Sequence, residues 1–266
     1  MRLADYHLHS EFSFDSREKI ENICEKAIGE GISEIVLTDH CEFPKSDNYP
    51  WPDFERRNEI LAECRKKYGD GLSILSGVEL GQAWRDCPLL DSLLAENNFD
   101  YCIGSIHCLD GILDLGKADI NDSNFHKHFD EYIEQMIRIV ESTDFDCMGH
   151  ITYLFKLLSP EFIAEHPPES YKEQYMPLLD AIASHGKGIE INCSGLRMAG
   201  LKSTMPSETI VSWFRQCGGK TVTVGSDGHS CRSAFSGLEE GYNVLRWAGF
   251  GKVARFRGRE VYYLDI

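Results

Sequence analysis

Seven short apolar runs recur along the chain, and their spacing limits the available folds more than any other feature. They read RLADYHL, SEIVLTD, LSILSGVEL, FDYCIGSI, FDCMGHI, KGIEINC and KTVTVGSD, each of strand length and most preceded by a Gly, Asp or Ser turn signal. Helix-like segments lie between them: REKIENICEKAIGEG, DFERRNEILAECRKKYG, FHKHFDEYIEQMIRIVEST, YMPLLDAIASHG and SETIVSWFRQCGG. Several of these close on the Gly that a helix C-terminus favours. Strand followed by helix, repeated, predicts a parallel sheet with helical crossovers. At 266 residues, with no G-x-G-x-x-G turn after the first run, a closed or nearly closed (β/α) barrel is favoured over an open doubly wound sheet. No linker, repeat or low-complexity tract interrupts the pattern, so residues 1–266 read as a single domain. The tail VARFRGREVYYLDI predicts a terminal hairpin at about 252–266, turning at Arg257–Gly258, and the polar stretches Phe43–Asp53 and Ser159–Ser170 read as loops.

Charge and cysteine content narrow the partners. A formal net charge of −16 argues against a protein that holds nucleic acid by neutralising phosphates. The ten Cys form no C-x-x-C pair and no small-scaffold framework, which suits reduced thiols in the cytoplasm. No basic stretch followed by an apolar run opens the chain, and no run approaches the length of a membrane span. The expectation is a soluble, cytoplasmic protein with no membrane partner; oligomeric state is not legible.

The polar residues that end the apolar runs carry the chemistry. His7 and His9 end the first run, Asp39 and His40 the second, Glu79 the third, His107 the fourth, His150 the fifth, Asn192 the sixth, and Asp227 with His229 the seventh. In a parallel barrel all strands end on one face, so these scattered residues converge where such barrels place their active sites. Residues i and i+2 of an extended strand share a side, so His7 with His9, and Asp227 with His229, can address one ion. Imidazole and carboxylate without clustered thiolate suit Zn, Fe or Mn. Six His with Asp15, Glu79 and Asp227 exceed the roughly four to six ligands of one ion, so two or three divalent transition metal ions are expected, with Glu79 as a bridge.

The other four His read differently. His126 and His128 fall in a helical pattern, where i and i+2 diverge, His185 sits at a helix end, and His166 lies in a Pro-rich loop. Asp39 reads as an orienting partner for a ligand His, and Asp5 as another supporting residue behind the ligands.

H-L-H within 5–9 with Asp15 beyond it, T-D-H at 38–40, G-V-E at 77–79, G-S-I-H at 104–107, G-H at 149–150 and S-D-G-H at 226–229 together resemble the polymerase and histidinol phosphatase (PHP) family of metallophosphoesterases. E-I-N-C-S-G-L-R at 190–197 is similar to a segment of the stand-alone histidinol-phosphate phosphatases that ends in a phosphate-binding Arg. The resemblance implies a distorted (β/α)7 TIM-like barrel with a trinuclear metal centre at the C-terminal ends of the strands. It implies that His7, His9, Glu79 and Asp227 hold one ion, Glu79, His107 and His150 a second, and Asp15, His40 and His229 a third.

It further implies metal-dependent hydrolysis of a small phosphomonoester, L-histidinol phosphate, in histidine biosynthesis. Arg197 would grip the phosphate, and Asp227 is a candidate proton carrier, so these two are the expected catalytic groups. Where those phosphatases place an Arg after the fifth-strand His, this chain has Phe155 followed by Lys156, which makes Lys156 the second candidate phosphate ligand and leaves another small ester, a nucleotide or short oligonucleotide, as the alternative. For an amino-alcohol end, the loop D-N-Y-P-W-P-D-F-E at 47–55 offers acidic and aromatic groups, and Trp84 and Arg85 are placed to line the mouth.

Overall fold

The computed structural model describes residues 2–111 and 114–266. The chain runs β1 (Ala4–Leu8), α1 (Ile20–Gly29), β2 (Glu34–Leu37), β3 (His40–Glu42), α2 (Phe54–Tyr68), β4 (Ser73–Gly81), α3 (Cys87–Glu96), β5 (Tyr101–Ser105), α4 (Phe125–Ser142), β6 (Cys147–Met148), α5 (Pro160–Glu165), α6 (Lys172–Ser184), β7 (Gly188–Asn192), α7 (Glu208–Gln216), β8 (Val222–Gly225), α8 (Leu238–Trp247), β9 (Lys252–Arg257) and β10 (Glu260–Asp265). Parallel strands pair in the order β1-β2-β4-β5-β6-β7-β8. The ring closes where Asp227 N donates to His7 O at 2.9 Å and His9 N to Gly228 O at 3.0 Å. The result is the nearly closed seven-stranded barrel, with helices packed outside it.

The second apolar run departs from expectation. It breaks after Leu37 and resumes as β3, so the nine residues of β4 pair first with β2 and then, from Glu79, with β3. A buried arginine accounts for the break. Arg57 of α2 is 0 % exposed; its Nη2 donates to Leu37 O at 2.6 Å and Gly77 O at 3.0 Å, and its Nε to Asp39 Oδ2 at 2.6 Å. Strand carbonyls that a continuous ladder would satisfy are satisfied by the guanidinium instead.

Alternation divides the strands into two cores. Ala4, Tyr6, Val36, Leu75, Tyr101, Ile103 and Cys147 form an inner cluster with Ala254 and Phe256, while Leu8, Ile35, Val78, Leu80, Ile189 and Val224 join the outer one under the helices. β9 and β10 form an antiparallel hairpin whose Phe256 packs against Tyr6 and Tyr101 and so plugs the barrel from its N-terminal end. The inner core fills the lower barrel with apolar side chains and leaves its C-terminal end to polar ones. Ser159–Ser170 contains a short helix rather than loop alone. Ser159 Oγ accepts from Phe162 N at 3.1 Å, and Pro160 starts α5 where its missing N–H costs nothing. Among the described residues no helix is long and apolar enough to cross a membrane.

Candidate metal centre

A bulge in β1 aims the first two imidazoles. Asp5 pairs with Ile35 and Leu8 with Leu37, so β1 advances three residues while β2 advances two. Without it, Tyr6 inward would put His7 outward; with it, Tyr6 joins the inner core, Leu8 the outer, and His7 and His9 both face the barrel interior. β4 continues its own alternation and delivers Glu79 opposite them.

Glu79 lies at the centre of the assembly and is 1 % exposed. Its Oε2 is 3.0 Å from His7 Nε2, 3.5 Å from His9 Nε2 and 3.2 Å from His40 Nδ1. Its Oε1 is 2.8 Å from His150 Nε2 and 3.1 Å from His107 Nε2. Asp15 Oδ2 lies 3.1 Å from His229 Nε2 and 3.3 Å from His40 Nε2, while Asp227 Oδ1 lies 3.5 Å from His9 Nε2 and 3.4 Å from His229 Nδ1. All nine residues expected as ligands therefore stand together at the strand ends. Donor atoms of His7, His9 and Glu79, of Glu79, His107 and His150, and of His9, Asp15, His40 and His229 each fall within 4.8 Å of one another. His150 and Asp227 adopt φ of 23° and 54°, left-handed backbone that recurs at functional positions.

Charge and burial fit these groups for cations. Burial lowers the pKa of His9 to about 3, and the imidazoles of His229 and His40 push the same way. Its Nε2 is buried without a hydrogen bond, as is Nδ1 of His40, so both ring nitrogens stand available to an ion beside carboxylates. Burial opposes ionisation of Glu79 and Asp227, yet neighbouring imidazoles, His7 foremost, outweigh it and hold both carboxyls well below their usual range. Burial would likewise lower His107, but Glu42 and Glu79 raise it to about 9. Protons thus fill part of the place that metal charge would take. The donor set is nitrogen and oxygen throughout, which suits Zn, Fe or Mn.

Two carboxylates that the sequence reading missed hold the imidazoles in place. Glu190 is 0 % exposed; its Oε1 is 2.7 Å from His7 Nδ1 and its Oε2 accepts from His150 N at 3.1 Å. Glu42 Oε1 is 2.7 Å from His107 Nδ1 and 3.3 Å from His40 Nδ1, and its Oε2 accepts from Gln82 Nε2 at 2.8 Å. A carboxylate on Nδ1 turns Nε2 towards the site. Gly81 admits Glu42, since a Cβ there would overlap its carboxylate. Period-two alternation in G-I-E-I-N was the available signal for Glu190, a carboxylate on the inward face between two outward Ile.

The remaining expected residues divide. Asp5 binds Ser226 N at 2.8 Å and His7 N at 3.1 Å, bracing both ends of the ligand set. Asp39 orients no imidazole, a correction to its expected role. Its carboxylate takes Ser10 N at 2.6 Å and Arg57, because it fills the strand break rather than the site. Asn192, which ends β7, uses its side chain on Ser194, Glu190 and Asp227. Arg197 commits Nη2 to the carbonyls of Ser226 at 2.9 Å and Asp227 at 3.1 Å, while its buried Nη1 has no partner. Phe155 is fully buried against Phe125, Phe129 and Tyr171, so it does not enter the site. Lys156 does, its Nζ lying 3.5 Å above the Tyr153 ring centroid. His126 is exposed, and His185 and His166 cap helices α6 and α5, all apart from the centre.

A cavity of about 450 Å³ opens before the donors, lined also by Phe14, Tyr49, Arg85, Asp114, Lys117 and Tyr153. Of the 47–55 loop, Asn48 and Tyr49 reach it, whereas Trp51 turns its Nε1 to Glu42 O at 2.9 Å and packs on Phe43. Arg85 lines the cavity; Trp84 instead stacks with Arg138.

Known proteins resemble the chain over nearly its whole length. The chain is 27 % identical over 274 residues to the histidinol-phosphatase of Lactococcus lactis subsp. lactis, covering 98 % of this chain and 97 % of that one. It is 26 % identical over 252 residues to a "Probable histidinol-phosphatase" of Thermotoga maritima, covering 95 % of each. A crystal structure of histidinol phosphate phosphatase from L. lactis, complexed with Zn, L-histidinol and phosphate, superposes with a TM-score of 0.83 at 22 % identity, covering 98 % of this chain and 99 % of that one, and so shares the fold. The model of the PHP domain matches residues 5–194, and with most of its length inside that match the chain belongs to the PHP domain family.

Proposed function

We infer that this protein is a metal-dependent phosphomonoesterase that hydrolyses L-histidinol phosphate to L-histidinol and phosphate. The observation that carries the reading is the convergence of six imidazoles with Asp15, Glu79 and Asp227 at the strand ends, where His40, His107, His150, His229 and the three carboxylates line a cavity that Lys156 also lines. Two or three divalent ions, Zn, Fe or Mn, would be held by His7, His9, Glu79 and Asp227, by Glu79, His107 and His150, and by Asp15, His40 and His229. Such ions, when bound, polarise phosphoryl oxygens and lower the pKa of water towards about 7. Names and contents of the relatives support the substrate: full-length relatives carry the histidinol-phosphatase name, and the L. lactis structure contains Zn, histidinol and phosphate.

The chain's own groups supply the rest. Lys156 and the free Nη1 of Arg197 neutralise phosphoryl oxygens, and the hold of Arg197 Nη2 on the Asp227 carbonyl fixes that ligand's backbone. Water adds its oxygen to phosphorus as the bond to the alcohol oxygen breaks. Asp227, whose Oδ2 accepts from Ser194 Oγ at 3.1 Å, is the candidate to carry the water's proton to the leaving oxygen. Phe155, whose presence after His150 raised the nucleotide alternative, is spent in the core and lends that alternative no contact.

The test is phosphate release from L-histidinol phosphate beside sugar phosphates, nucleotides and short oligonucleotides, on protein whose metals are quantified in the same sample. Preference for histidinol phosphate is expected; metal-loaded protein that prefers another ester would overturn the substrate and keep the chemistry.

A further inference from the structure

Five carboxylates among the described residues line the cavity: Asp15, Glu42, Glu79, Asp114 and Asp227. Four of them stand against imidazoles of the metal centre. Asp114 does not. Its Oδ1 accepts from Gly116 N at 2.9 Å, and its Oδ2 accepts from the Tyr49 hydroxyl at 3.2 Å and lies 2.7 Å from Lys117 Nζ. Asp114 follows β5 and Tyr49 follows β3, so the two loops meet over the cavity at this hydrogen bond.

Resting on the reading of the substrate as an amino-alcohol phosphate, we propose that Asp114 and the Tyr49 ring form the subsite for the protonated amine of the alcohol part. The position already receives an ammonium, since Lys117 Nζ sits 5.5 Å from the Tyr49 ring centroid as well as beside the carboxylate. A carboxylate and an aromatic face together are the surroundings an alkylammonium prefers. Lys117 is 75 % exposed, and a pair so open to water is held weakly. A substrate anchored at its phosphate presents its amine at high effective concentration and displaces Lys117. Phe14 bridges the two ends: its ring stacks on His40 at 5.0 Å and meets the Tyr49 ring edge-on at 5.0 Å. One aromatic wall therefore runs from the metal centre to the amine position, with Lys156 serving the phosphate and Asp114 the opposite charge.

Steady-state kinetics on L-histidinol phosphate and on its deamino analogue, 3-(imidazol-4-yl)propyl phosphate, test the subsite. Asp114→Asn is expected to raise KM for the amine ester about tenfold and leave kcat/KM for the analogue unchanged. Lys117→Ala removes the competing ammonium and lowers KM for the amine ester alone. Tyr49→Phe breaks the link between the loops but keeps the ring, so the preference for the amine survives in that variant. Equal losses on both esters in Asp114→Asn would make Asp114 a loop anchor and overturn the subsite, as would an intact preference. Wild-type protein that favours neither ester over simple aryl phosphates would instead overturn the reading of the substrate, and the wild-type rates alone reveal it.

Discussion

His7 is held from both sides, by Glu79 at Nε2 and by Glu190 at Nδ1, and is itself fully buried. Removing the imidazole removes a ligand, whereas Glu190→Gln keeps the ligand and weakens the hand that orients it. His7→Ala should therefore abolish turnover and lower bound metal, and Glu190→Gln should weaken metal binding about 10- to 100-fold with the fold intact. His126→Ala, on the exposed face of α4, should change neither; metal analysis of the three purified variants decides the matter. The ligands other than Asp15 were legible because each ends an apolar run. Glu190 and Glu42 were not: a carboxylate inside a strand, as Glu190 is, looks like a solvent-facing residue until the barrel shows which face is inward, and Glu42 ends β3, a strand that exists only because the second run breaks.

Elements show the same divide. The alternation of runs and helical segments revealed the parallel barrel and the terminal hairpin, since period and turn chemistry are local properties. Neither the bulge of β1 nor the break between β2 and β3 has a local signature: the first is defined by its partner's register and the second by Arg57, which arrives from α2. Arg57→Ala should cost about 3–5 kcal/mol, because it strands the buried Asp39 carboxylate along with two strand carbonyls. A lowered denaturant midpoint checks it, and an unchanged midpoint would mean water replaces the guanidinium freely. Phe256→Ala should cost a similar 3–5 kcal/mol by opening a void under Tyr6 and Tyr101. That loss tests whether the hairpin seals the barrel or merely decorates it.

At the scale of the molecule, a chain with a net charge of −16 gathers its carboxylates around imidazoles and so prepares a place for cations inside itself. Metal-free protein balances part of that charge with protons. Burial works against a charged His107, but Glu42 and Glu79 raise it to about 9, above the value of about 6.5 expected in the unfolded chain. A group whose folded pKa is raised lends stability that is complete below the unfolded pKa and is lost as pH climbs through the folded one. The melting temperature of metal-free protein should therefore fall between about pH 6.5 and 9, while metal-loaded protein, in which the same imidazole is a ligand, should lack that decline. Metal affinity should run the other way, rising over the same window as the ion no longer displaces a proton. Thermal melts and metal titrations across that range, run on one preparation with and without chelator, read both slopes. Parallel slopes would mean that protons and metal do not compete for the site, and the ligand set built on Glu79 and His107 would fall with that result.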